Sequence, residues 1–185
     1  MRTFIAFPLS PEIKELLEKI QAEIKTCAID AKWVNPFNTH ITLKFLGEIQ
    51  ENTLLKVEQI IVKTADEFSS LKIYLKSFGF FPTERNPRVF FIATDKEDFL
   101  KQIASFLENN LRALGFKKEN RFKSHITLAR LKSKKNIGCI LEKIKAIELN
   151  KIFPIKEIVL FKSTLTSKGP EYEEIFKARL KKPSI

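Results

Sequence analysis

No apolar run in the chain approaches the ~20 residues needed to span a bilayer, so a transmembrane helix is not expected. The opening stretch from Met1 to Pro8 is interrupted too early for a secretory signal and reads as a first strand. There are two cysteines. Cys27 and Cys139 lack metal-ligand spacing and are too few for a disulfide framework, which favours reduced thiols and a cytoplasmic setting. There are also two histidines. Neither has a cysteine or acid at ligand spacing beside it, so no metal and no cofactor are expected. A serine or cysteine nucleophile also lacks support, because Ser124 directly precedes His125 and on a strand the two side chains point to opposite faces.

The apolar fraction is 44% and the charged fraction 30%, the balance of an ordered globular chain rather than a disordered one. Lys and Arg number 33 against 22 acids, a net charge of +11. That excess points to an anionic partner. Nucleic acid comes ahead of a membrane surface, because no basic amphipathic anchor is evident.

Both histidines open the same tetrapeptide, His40-Ile41-Thr42-Leu43 and His125-Ile126-Thr127-Leu128. The surroundings repeat as well. Strand, helix, His-strand, helix, strand occurs twice: the His-strands are 85 residues apart, and Arg2–Phe7 lies over Arg88–Ala93 at a shift of 86. The helices are expected over 11–27, 54–68, 99–114 and 137–147, from apolar residues at helical spacing. Strands are expected over 3–9, 40–47, 71–81, 88–93, 124–131, 155–166 and 172–180, with a short extended piece at 32–34. The stretch 82–87, with a proline at each end, reads as the clearest loop and as the lobe boundary. These elements predict one bilobal α+β domain over residues 1–185, built by internal duplication and packed about a pseudo-two-fold axis. Such an axis brings the two His segments face to face across a cleft.

Strand alternation puts His40 and Thr42 on one face, and His125 and Thr127 on the corresponding face of the second copy. The isoleucines and leucines turn to the core. Extending the alternation adds Asn38, Lys44 and Lys123 to the polar faces and turns Arg130 toward the core. Two imidazoles suit acid–base chemistry near neutral pH, with the threonine hydroxyls holding a phosphate between them. A cyclic phosphodiester suits such a site best, because its strained ring needs little beyond a placed acid and base. Trp33, Phe37, Phe45 and Tyr172 are read as core residues, with stacking on a base as the alternative.

These segments resemble the 2H phosphoesterase superfamily. More narrowly, they resemble the RNA 2′,3′-cyclic phosphodiesterases also called 2′-5′ RNA ligases, a LigT-like family. The likeness rests on Arg2–Phe7, Trp33-Val34, His40–Gly47, Pro87-Arg88-Val89, His125–Arg130 and Ser163–Tyr172. It implies two pseudo-symmetric lobes, each an antiparallel sheet with helices outside, and a groove between them. It also implies metal-independent opening of an RNA terminal 2′,3′-cyclic phosphate to a 2′-phosphomonoester, with reversible 2′-5′ ligation by the same groups. His40 would be the proton donor, His125 the proton acceptor, and Thr42 and Thr127 the phosphate ligands. Lys44, Lys123 and Arg130 are candidate phosphate or RNA contacts. The expected partner is an RNA 3′ end bearing the cyclic phosphate, tRNA halves included, acted on by a cytoplasmic monomer without membrane association. The competing readings are a non-catalytic RNA-end binding module and a phosphodiesterase on a small cyclic nucleotide.

Overall fold

The computed structural model describes residues 1–118, 122–167 and 169–183. Among these, nine strands join in one antiparallel sheet with four α-helices packed against it. In chain order the strands are β1 (Arg2–Pro8), β2 (Ala31–Trp33), β3 (His40–Glu48), β4 (Leu71–Thr83), β5 (Asn86–Thr94), β6 (His125–Leu131), β7 (Ile152–Ile155), β8 (Glu157–Thr166) and β9 (Gly169–Arg179). The helices are α1 (Pro11–Lys25), α2 (Glu51–Glu67), α3 (Glu97–Leu111) and α4 (Ile137–Lys143).

Local chemistry explains the helix ends. Ser10 is extended before α1, Pro11 occupies a first-turn position where no N–H is needed, and Glu12 faces the positive end of the helix dipole. Ile13, Leu17, Ile20 and Ile24 then form one buried stripe. In α3 the stripe is Leu100, Ile103, Leu107 and Leu111, and Gly115 stops the following turn at φ +86°.

The sheet order is β7-β4-β5-β6-β3-β1-β8-β9, with β2 pairing beside β3 on the same edge of β6. β3 and β6 meet at a single residue pair, Ile41 with Ile126. Four strands of this order lie on each side of that junction, and β2 adds a fifth on the β6 side. The sheet also curls strongly: β7 and β8 stand near opposite ends of the order, yet only Lys156 separates them. Two Cα–Cα steps of ~3.8 Å bring those ends within about 8 Å. A bridge between Ser69 and Lys181 closes the same seam. One face of the sheet carries Ile5, Phe7, Ile41, Leu43, Ile92, Ile126 and Leu128 into a core shared with the helices. The other face carries a small cluster of Phe4, Ala6, Val159 and Phe161, with Tyr172 against it.

Four expectations change. The stretch 82–87 is a tight turn inside one half of the sheet, with Pro82 paired to Pro87, and does not link two lobes. The expected strand over 155–166 is two strands, because the chain changes sheet edge at Lys156. The last helix is short, ending at Lys143. Cys27 and Cys139 are joined by a disulfide, with Cα atoms 5.7 Å apart. Cys27 follows α1 and Cys139 lies in α4. Asn136 Nδ2 also donates to the Cys27 carbonyl, so the fold brings together two cysteines that lie 112 residues apart in sequence.

Candidate active site

The two His-strands share one irregularity. Opposite β1, Ile5 pairs with Lys44 and Ala6 with Thr42, which leaves Leu43 as an extra residue. Opposite β5, Phe90 pairs with Ala129 and Phe91 with Thr127, which leaves Leu128 extra. Each is a bulge three residues after its histidine. A bulge inverts the alternation beyond it, and both strands accordingly read partly buried, buried, partly buried, buried, buried, exposed, buried. These registers align β1 with β5 at a shift of 85 rather than 86.

The inversion reassigns two expected contacts. Lys44 is 3% exposed on the core side, its ammonium 2.7 Å from Glu108 Oε1 of α3 and 2.6 Å from the Lys117 carbonyl. It does not face the cleft, and the expectation of a phosphate contact there fails. Arg130 is exposed, turned off the core face where simple alternation had placed it. Its charge reaches both His125 and Tyr172. Phe45, one residue past Lys44, is 55% exposed, and Phe37 is 61% exposed, so neither is a core residue. Trp33 and Tyr172 are partly buried.

His40, Thr42, His125 and Thr127 are all partly exposed on the face opposite the main core. The antiparallel pairing of Ile41 with Ile126 sets His40 next to Thr127, and Thr42 next to His125. Neither threonine hydroxyl bonds another described residue. Both imidazoles are fixed in the same way. His40 Nδ1 lies 2.8 Å from the Asn38 carbonyl, and His125 Nδ1 lies 2.7 Å from the Lys123 carbonyl. A carbonyl can only accept, so Nδ1 carries the proton and Nε2 is the nitrogen left for chemistry.

The surroundings of the two rings differ. His40 lies on Phe4 at 4.6 Å between ring centres, with Tyr172 edge-on at 5.5 Å. His125 is held edge-on by Phe81 at 4.9 Å and Phe91 at 5.4 Å, with the Lys123 ammonium over both phenylalanines. Gly79 makes this packing possible, because a Cβ there would come within 2.5 Å of the Phe91 ring. Burial pushes His40 down to about 4; the hydrogen bond to Asn38 opposes this, and the charges of His125 and Lys14 reinforce it. Burial also lowers His125, against its bond to Lys123 and with help from the Lys123 and Arg130 charges. Ser124 is buried and bonded to Thr94, away from the cleft.

Gln21 carried no sequence signal beyond being a polar residue in an otherwise apolar helical stripe. It is 1% exposed on α1, and its Nε2 donates to the carbonyls of Val34 at 2.8 Å and Leu128 at 3.0 Å. It therefore holds the bulge of the second His-strand. Among the described residues no three His, Cys, Asp or Glu side chains gather as a metal site, and no helix is long and apolar enough to cross a membrane.

A family model described as LigT like Phosphoesterase matches residues 7–91 and again residues 92–172. A Methanocaldococcus jannaschii protein named RNA 2′,3′-cyclic phosphodiesterase is 37% identical, covering 95% of this chain and 98% of its own. A Thermotoga maritima protein of the same name is 32% identical, covering 97% and 95%. The crystal structure of TT0787 from Thermus thermophilus superposes with a TM-score of 0.81 over 100% of both chains at 28% identity.

Proposed function

Since the chain belongs to the LigT-like phosphoesterase family, we propose that it is an RNA 2′,3′-cyclic phosphodiesterase. It opens the terminal cyclic phosphate to a 2′-phosphomonoester. The observation that carries this reading is the pair of His-x-Thr strands meeting at Ile41 and Ile126, each imidazole held through Nδ1 with Nε2 free.

In this reading Thr42 and Thr127 donate to the two non-bridging oxygens of the cyclic phosphate. His125 Nε2 takes a proton from water as the water oxygen bonds to phosphorus. The bond from phosphorus to the 3′ oxygen breaks, and His40 Nε2 gives its proton to that oxygen. One proton is taken and one given; before the next turnover His125 releases its proton to solvent and His40 regains one. His40 must carry a proton at Nε2 when the ring opens, although burial keeps it neutral in the free protein. The phosphodiester anion supplies the attraction that raises it on binding. Lys123 and Arg130 add positive charge where the equatorial oxygens gain negative charge. With a 5′-hydroxyl in place of water, the same steps join two RNA ends through a 2′-5′ bond.

An internally duplicated chain has its two catalytic strands in one molecule, so the same proposal makes it a monomer. Its substrate is an RNA 3′ end, tRNA halves included, and its setting is cytoplasmic. The Cys27–Cys139 bond removes the support that reduced thiols had lent that setting, which now rests on the substrate alone.

The test is incubation of the protein with a short RNA bearing a 2′,3′-cyclic phosphate, in chelator, followed by product identification. A 2′-phosphomonoester is the expected product. Recovery of a 3′-phosphomonoester, or of unchanged RNA, overturns the reading.

A further inference from the structure

The environments of the two histidines break the near-symmetry of the site. Beside His40 lies a cavity of about 150 Å³, walled by Lys14, Phe37, Asn38, Tyr172 and Glu174. At ~30 Å³ per water it has room for about five waters, roughly the size of a nucleobase. His125 instead has Phe81 and Phe91 edge-on against its ring. The second half of the sheet does carry a hollow, next to Thr94 and the start of α3, but His125 does not line it.

The cavity is built to keep its shape. Asn38 Nδ2 donates to the Pro170 carbonyl at 2.8 Å, which ties the turn carrying Phe37 to the start of β9. Phe37 and Tyr172 offer an exposed and a half-buried ring, the pairing that single-stranded ends use for stacking. Lys14 projects from the first turns of α1, half-buried. It has no hydrogen bond or ion pair to another described residue; Glu174 attracts it at longer range, and its own charge reaches His40. Glu174 itself pairs with Lys177 at 3.7 Å. A cation half withdrawn from water without a hydrogen-bonded anion is a site prepared for one.

We propose that this cavity seats the terminal nucleoside of the substrate, and that Lys14 takes the phosphate on that nucleoside's 5′ side. The inference rests on the cyclic phosphodiesterase reading above and adds polarity to it. The sugar and base lie on the His40 side, where the 3′ oxygen leaves, and the attacking water enters from the His125 side. A nucleotide linked to a preceding residue then places its 5′ phosphate where Lys14 can pair with it, whereas a nucleoside with a free 5′-hydroxyl offers no anion there.

The experiment measures kcat/KM, at one pH and salt concentration, for a nucleoside 2′,3′-cyclic phosphate with a 5′-hydroxyl and for the same compound with a 5′-phosphate. The wild-type chain is expected to prefer the 5′-phosphorylated compound by about tenfold or more, mainly through KM. Lys14→Gln is expected to bring the ratio close to one, and Lys14→Arg to restore most of it. A wild-type ratio near one, or a ratio unchanged in Lys14→Gln, overturns the assignment of Lys14. Turnover of the 5′-hydroxyl compound by the wild type shows in the same experiment that the phosphodiesterase reading stands. Absence of turnover on both compounds and on RNA is a failure of that reading.

Discussion

Ile41 of β3 and Ile126 of β6 face each other as the pair joining the two halves of the sheet. The residues on either side of each isoleucine are the ones that face the cleft, so the pair fixes how closely the two His-x-Thr units approach. Both isoleucines are fully buried in the core shared with the helices. The catalytic geometry proposed here is thus held from behind by apolar packing, and the cleft side is left open to substrate.

Replacing either histidine should abolish turnover without unfolding the chain. His40→Ala and His125→Ala are each expected to lower kcat on a cyclic-phosphate RNA by about a hundredfold or more. Thr42→Val and Thr127→Val should cost about tenfold to a hundredfold each, as each removes one hydroxyl donor to the phosphate. Steady-state kinetics, with circular dichroism as the folding control, checks both. Full activity in either histidine variant sinks the two-imidazole mechanism.

The depressed His40 value links stability to pH with a definite sign. The folded protein holds His40 at about 4 against the ordinary 6.5. Between those values the unfolded chain binds more protons, so the contribution is fully present above about pH 6.5 and is lost as pH falls toward 4. Denaturant unfolding at pH 7 and pH 4.5 should show a smaller acid-side loss for His40→Asn than for wild type. The alkaline limb of kcat/KM, which reports the free protein, should lie at lower pH than that of kcat, where bound phosphate has raised His40. Coincident limbs would mean that His40 is not the proton donor.

Lys44 should behave as a structural residue. Its ion pair with Glu108 is buried, with side chains 3% and 10% exposed. Lys44→Ala takes the ammonium away from a buried carboxylate and is expected to cost about 3–5 kcal/mol. The double replacement Lys44→Met with Glu108→Leu should recover much of that. Urea denaturation measures both. A variant that keeps its stability but loses salt-dependent RNA binding would restore the cleft contact that the buried geometry excludes.

Periodicity in the sequence shows helices and strands because each buries one face, and the repeated tetrapeptide shows the four central residues because alternation holds up to the leucine. Past the leucine the alternation misleads. The bulges at Leu43 and Leu128 place an ordinary core residue where no glycine or proline marks a break, so the sequence sorts Lys44 and Arg130 onto the wrong faces. The disulfide and the edge change at Lys156 are equally hidden, since both depend on which distant segments the curled sheet brings together. The exposure of Phe37 and Phe45 comes from a turn and a bulge, and aromatic composition carries no trace of either.

Gln21 tests whether the second bulge matters for function. The Leu128 carbonyl accepts from the Val34 N–H and from Gln21 Nε2, two donors reaching it from β2's end and from α1. Gln21→Leu has a similar volume but removes the side-chain donor to the Val34 carbonyl and one of the two donors to the Leu128 carbonyl, which should cost about 1–3 kcal/mol of stability. The bulge is also what turns Arg130 off the core face, two residues after Leu128. If Gln21 positions that turn, the variant should lose kcat/KM on a cyclic-phosphate RNA while its His125 titration, tracked by NMR, moves upward as the Arg130 charge withdraws. Gln21→Glu places an acceptor against two carbonyl oxygens and should be worse on both counts. A variant that loses stability alone, with His125 titrating as in wild type, would confine Gln21 to the fold and leave the bulge to be set by the strand pairing itself.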